Sequence, residues 1–191
     1  MSLFLIILAA GEGTRLRPLT NDKPKCMVEF KGKPIIDYIL KATYDCGIND
    51  IAIVSGYKKN ILEDYLVNDK LNFYTNNKFD STNMVSTLFC AKDFMDDDII
   101  ISYADIIYKK EVLQKLITST KDFSVVVDTE WKELWSIRME DPLSDLETLK
   151  IEDDKIIELG KKPKSYDDIE GQYIGLMKFQ TCVKWYLNVK S

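Results

Sequence analysis

The chain has 191 residues, 46% of them hydrophobic and 30% charged, ordinary values for a globular protein and enough for one well-buried domain. Its net charge of −5 argues against a nucleic-acid partner, which would need a broad basic face. The complete absence of histidine removes every His-based general acid, nucleophile system or metal ligand, so any chemistry must rely on cations, backbone dipoles, carboxylates and a metal ion.

Ser2 to Leu8 is a near-continuous apolar run of the kind a strand buried on both faces requires. Phe4 to Ala10 is too short for a membrane span and lacks the basic start of a signal peptide, so a cytoplasmic protein without a membrane partner is expected. The chain then turns through Ala9, Ala10, Gly11, Glu12, Gly13 and Thr14. Glycine lets backbone come close to a ligand, and successive N–H groups in such a turn can converge on phosphate oxygens. Arg15 adds a planar fork of donors and Lys25 a compact positive charge. Two common phosphate motifs fail here. A dinucleotide fingerprint needs a third glycine where Leu16 stands, and no stretch has the spacing and Gly-Lys-Ser/Thr ending of a P-loop.

Pro34 followed by Ile35, Ile36, Ile39 and Leu40 predicts a helix with proline in its first turn, ended by Gly47. Ile51–Val54 predicts a short buried strand, and the turn at Gly56 and Tyr57 leads to a helix around Ile61 to Val67. Leu71–Thr75 predicts a strand, Asn83–Ala91 a helix capped by Ser81 or Thr82, and Ile99–Tyr103 a strand ending at Ala104 and Asp105. A helix near Val112 to Ile117 and a β-branched strand from Phe123 to Val127 follow. This alternation predicts a doubly wound α/β fold with a mostly parallel mixed sheet, whose ligands bind beyond the carboxyl ends of the strands. From Trp131 to Phe179 the pattern changes to strands and turns, consistent with a small antiparallel extension. The acidic run Asp96, Asp97 and Asp98 precedes its strand and so falls at the wrong end of such a sheet. Cys26, Cys46, Cys90 and Cys182 form no CxxC pair, which favours reduced thiols, and Cys26 reads as a small semi-buried apolar side chain.

The segment Leu8–Leu40, LAAGEGTRLRPLTNDKPKCMVEFKGKPIIDYIL, resembles the signature of the sugar-phosphate nucleotidyltransferase superfamily, LAAGxGTRLxPLT followed by PK and GKPxIxY. The later pieces DTEWKELWSIRMEDPLSDLETLKI, IIELGKKPK and EGQYIGLMKF resemble its small cytidylyltransferase branch, which handles phosphocholine, 2-aminoethylphosphonate and similar short acceptors. The resemblance is greatest to the members that use phosphoglutamine in capsule phosphoramidate synthesis. It implies a Rossmann-like nucleotidyltransferase fold in one domain over residues 1–191, and transfer of CMP from CTP with release of pyrophosphate. A homodimer is compatible with it.

By the same resemblance, Leu8, Ala10 and the backbone of Gly11 to Thr14 cradle the triphosphate, Arg15 contacts the departing phosphates, and Lys25 reaches the α-phosphate. Gly56, Tyr57, Ser81, Thr82, Asn83 and Ala104 surround the nucleoside, and Asp105 holds Mg²⁺. For the acceptor, Lys161 or Lys162 binds the phosphate, Arg138 pairs with a carboxylate, and Gln172 and Tyr173 line the wall. Trp131 and Trp135 read either as an aromatic cage for a quaternary ammonium or as packing. Family members continue to a carboxyl-terminal segment whose aspartate is the second metal ligand, and no Asp or Glu follows Thr181 here, so the chain is expected to be truncated at that end. Two other readings keep the fold: a sugar-1-phosphate nucleotidyltransferase using dTTP or UTP, and a relative that binds nucleotide without turnover.

Overall fold

The computed structural model describes residues 3–138 and 140–180, without the side chains of Arg138 and Pro142. The first strand, β1 (Leu3–Ala9), buries Leu5, Ile6 and Ile7 completely, and each such side chain contributes roughly 1.5–3 kcal/mol. Residues that read as apolar runs form its neighbours: β4 (Asp50–Ser55) and β6 (Asp98–Tyr103) flank β1, both parallel to it, and β5 (Asn72–Thr75) extends the sheet beside β4. A two-residue pair, β2 (Glu29–Phe30) with β3 (Lys33–Pro34), precedes the first helix.

That helix, α1 (Ile35–Asp45), follows Pro34 as the sequence predicts and buries Ile36, Ile39, Leu40, Ala42 and Thr43 along one stripe. It packs with α4 (Lys110–Thr118), whose Leu113 and Leu116 are buried. Helices α2 (Lys59–Tyr65) and α3 (Met84–Phe89) complete the crossovers. The cap of α3 is Asn83, whose side chain accepts from the Ser86 N–H at 3.0 Å, and not Ser81 or Thr82; Thr82 directs its hydroxyl to the Lys78 carbonyl instead. Among the described residues no helix is long and apolar enough to cross a membrane.

The main sheet runs β5-β4-β1-β6-β10-β7, with β7 at Phe123–Asp128 and β10 at Gln172–Phe179; β10 is antiparallel to β6, pairing Leu176 with Ser102. The mixed, mostly parallel sheet thus matches the expected class. The chain divides into two compact units. One runs to Ser124 and resumes at Gly175; Val125–Ile174 forms the other, with β7 and β10 carrying the chain out and back.

The second unit corrects one expectation. Its beginning is helical, not a strand-and-turn segment: α5 spans Trp131–Arg138. Lys132, Glu133 and Leu134 are strong helix formers, but Ile137 is 79% exposed while Trp131 is buried, so the apolar residues do not mark a single face and the helical period is hidden. The antiparallel extension is the hairpin of β8 (Leu149–Glu152) and β9 (Lys155–Leu159), turned through Asp153 and Asp154, both left-handed as a tight hairpin demands. Trp131, Leu146 and Ile169 make this unit's own core.

Candidate active site

The turn after β1 is held from several sides. Gly13 sits at φ 63°, and a Cβ there would approach the Lys25 Cβ to 3.0 Å and the Thr20 Cγ2 to 3.2 Å. Buried Thr20 donates its hydroxyl to the Gly13 carbonyl at 2.9 Å. At the end of β4, Gly56 comes so close that a Cβ would lie 2.8 Å from the Ala10 oxygen and 2.9 Å from the Ala10 and Phe79 Cβ atoms. That approach lets the Tyr57 N–H reach the Ala10 carbonyl at 2.9 Å, while the Tyr57 hydroxyl lies 3.0 Å from the carbonyls of both Thr20 and Asn21.

The loop opens onto a cavity of about 440 Å³. Of the residues predicted around a nucleotide, Leu8, Ala10, Gly11, Gly13, Thr14, Arg15, Lys25, Thr82, Asn83, Ala104 and Asp105 line it together. Gly56 and Tyr57 stand behind the loop as its support, and Gly56 borders a separate hollow beside Lys58 and Asn76. Glu12 turns to Arg17 at 3.1 Å, and Ser81 is exposed outside the lining. Sequence reasoning missed Phe79, Met84, Thr87 and Tyr103, which also line the cavity. Phe79 and Thr87 follow a strand end and occupy a helix face in the segment where polar residues drew attention, and only tertiary packing turns them inward.

At the cavity floor the Lys25 ammonium forms an ion pair with the Asp105 carboxylate. Lys25 opens a single helical turn after Pro24, and Asp105 follows the buried strand β6, so two rigid elements bring opposite charges together across 80 residues of sequence. Cys26 beside them is buried, and burial pushes its thiol up to about 12, with the Asp105 charge adding to the shift. It is therefore an inert packing group, as its sequence context suggested.

Asp105 is an exposed hard oxygen donor at the edge of a loop suited to phosphate, and Mg²⁺ commonly takes one or two protein carboxylates together with nucleotide phosphates. The residues thus fit a metal shared with a nucleotide. Among the described residues no group of three or more Asp, Glu or Cys could hold an ion alone. Residues 181–191, which carry no second carboxylate in sequence, lie outside the described residues.

All predicted acceptor residues, Gln172 and Tyr173 at the start of β10 included, fall in the second unit. Lys161 is paired with Glu158 at 2.5 Å, and Lys162 is exposed. The Lys161 ammonium holds the Glu158 carboxyl below the usual range, hydrogen bonding being the largest cause. Gln172 is buried and donates to the carbonyls of Glu147 at 2.9 Å and Gly171 at 3.1 Å, which gives it a structural task. Tyr173 is half-buried. Trp131 packs in the core with its ring 6.0 Å from that of Tyr166, and Trp135 is half-buried against the same cluster, so the pair serves packing. The Arg138 side chain lies outside the described residues.

A nucleotidyl transferase family model matches residues 5–138, from the middle of β1 to the end of α5. The chain belongs to this family of enzymes. It is 55% identical over 181 residues to the CTP:phosphoglutamine cytidylyltransferase of Campylobacter jejuni, covering 91% of this chain and 72% of that protein. It is also 34% identical over 115 residues to the choline-phosphate cytidylyltransferase of Streptococcus pneumoniae, covering 60% of this chain and 50% of the other. A solved structure of CTP:phosphocholine cytidylyltransferase from Streptococcus pneumoniae superposes with a TM-score of 0.71 at 21% identity, over 98% of this chain and 75% of that one, a likeness of fold. The nucleotidyltransferase is thus matched over the glycine loop, Lys25 and Asp105 alike.

Proposed function

We propose that this nucleotidyltransferase moves CMP from CTP to L-glutamine phosphate and releases pyrophosphate, supplying a CDP-linked intermediate for capsule phosphoramidate modification in the cytoplasm. The observation that carries this reading is the union of the glycine loop, Arg15, Lys25 and Asp105 around one cavity, in a chain 55% identical to a protein named for that reaction.

An oxygen of the acceptor phosphate attacks the α-phosphorus of CTP, the bond from that phosphorus to the bridging oxygen breaks, and pyrophosphate departs. The nucleophile is already anionic, so no general base is needed, and a site without histidine is sufficient. Backbone N–H groups of Gly11 to Thr14 hold the phosphates in line. Arg15 takes charge on the departing pyrophosphate, and Lys25 stabilises the α-phosphate as it gains charge. Asp105 would hold Mg²⁺, which when bound neutralises phosphate charge. In the second unit Lys162, or its neighbour Lys161, binds the acceptor phosphate and Arg138 its carboxylate.

Pyrophosphate release, assayed with CTP, UTP, dTTP, ATP and GTP against phosphoglutamine, phosphocholine, 2-aminoethylphosphonate and a hexose 1-phosphate, tests the reading. Turnover should be greatest with CTP and phosphoglutamine. Preference for dTTP or UTP with the sugar phosphate would replace it with the sugar branch, and binding of CTP without turnover with any acceptor would place the chain among non-catalytic relatives.

A further inference from the structure

Beneath the cavity lies a hydrogen-bond network whose proton count is fully determined. Asn76 is buried at the end of β5 and does not line the cavity. Its Oδ1 accepts from the Lys78 backbone N–H at 2.9 Å, which can only donate, so the amide orientation is fixed and Nδ2 must face the other way. There Nδ2 donates to the hydroxyl oxygens of Thr82 and Thr87, both at 2.9 Å. Each threonine then gives its single hydroxyl proton to a backbone carbonyl, Thr82 to Lys78 at 2.6 Å and Thr87 to Asn83 at 3.2 Å. A carbonyl cannot donate in return, so both protons are committed. Two threonines that line the cavity are left with an acceptor lone pair each and no proton to offer.

We propose that Asn76 sets nucleobase choice by anchoring the oxygens of Thr82 and Thr87 where the Lys78 and Asn83 carbonyls take their protons, so that both face the cavity as acceptors only, which suits the exocyclic amine of cytosine and penalises uracil and thymine. At the same ring position cytosine carries an N–H donor and the other two carry a carbonyl acceptor. Against a pair of committed hydroxyls the amine is satisfied, whereas a carbonyl faces lone pairs and loses its hydration without compensation. Asn76 is a positioning residue here, and Thr82 and Thr87 are the groups that meet the base. The inference rests on the assignment of CTP made above.

The test is calorimetric titration of the chain with CTP, UTP and the 2-pyrimidinone ribonucleoside triphosphate, which is CTP without its amine. The unaltered chain should favour CTP over both others by about tenfold or more. Thr87→Val and Thr82→Val keep side-chain shape and should lower CTP affinity while leaving the analogue within about twofold, so that the CTP-to-analogue ratio falls toward one. Asn76→Ala removes the donor that anchors both hydroxyl oxygens, leaves the two side chains able to turn a proton toward the cavity, and should lower the same ratio although it removes nothing that lines the cavity. Thr82 is exposed, so its variant folds and carries the test even where the buried ones do not. Variants that bind all three nucleotides more weakly but keep the original ratio would overturn the proposal and leave a purely structural network. An unaltered chain that binds UTP more tightly than CTP would overturn the nucleotide assignment and the proposal with it.

Discussion

In the first unit the charged side chains assigned to the nucleotide rise from backbone that neighbours hold in place: Lys25 follows Pro24 and packs against Gly13, and Asp105 stands in the turn just after a strand buried on both faces. In the second unit the lysines assigned to the acceptor stand exposed near a hairpin, with Lys161 tied to Glu158. Preorganised charge acts where the transition state develops, and it costs nothing to reorganise at that moment. Exposed lysines can meet different phosphates with little change in backbone. Under the proposed assignment, the contrast would put the rate in the nucleotide half and the choice of partner in the acceptor half.

Lys25→Ala is the strongest attempt to break this division. It should lower pyrophosphate release by about a hundredfold to a thousandfold with a much smaller loss of CTP affinity in calorimetry. Equal losses in both would make Lys25 a binding residue and blur the contrast. Asp105→Asn comes next: turnover should fall by about tenfold or more, and the Mg²⁺ concentration for half-maximal rate should rise, with CTP binding less affected. An unchanged Mg²⁺ titration would remove Asp105 from the metal.

Gly56→Ala separates loop support from contact. Its Cβ would meet Ala10 backbone at 2.8 Å, so stability should drop by about 1–3 kcal/mol, seen in the melting curve, and CTP affinity should fall although Gly56 does not line the cavity. On the other unit, Lys162→Ala should raise the acceptor KM several-fold, roughly the loss of one charged hydrogen bond, and leave CTP affinity unchanged. Lys161→Ala should do less, because Glu158 already engages that ammonium. The smallest effect concerns Cys26, whose thiol is raised from 9.0 to about 12. Alkylation at pH 8 should modify Cys90 and leave Cys26 intact, with no change in CTP binding. The stability linked to the Cys26 thiol is fully present below about pH 9 and is lost as pH rises through about 12.

That the glycine loop, Lys25 and Asp105 gather around one cavity was legible because a phosphate site would require such residue types at strand ends, and an apolar run followed by glycines declares itself. The parallel strands were legible for the same reason: residues such as Ile51 to Val54 suit little else. Helix α5 was not, because exposed Ile137 and Leu134 obscure its buried face. Asn76 and Thr87 were not, because nothing in their local sequence records that one amide would bridge two hydroxyls six and eleven residues away. Gln172 read as a wall residue because polarity suggests a ligand, whereas burial and its bonds to backbone carbonyls give it a structural task; Trp131, read as either a cage or packing, lies in the core of the second unit.

The ties that bind the loop to its surroundings bear on kinetics as well as on affinity. The Ala10 carbonyl is held by the Tyr57 N–H, the Gly13 carbonyl by the Thr20 hydroxyl, and the chain at Thr20 and Asn21 by the Tyr57 hydroxyl. The loop proposed to receive the triphosphate is therefore held in place by the chain's own hydrogen bonds. Stopped-flow association of CTP should then be a single phase whose rate climbs linearly with concentration, free of the plateau that a loop closing after encounter would impose.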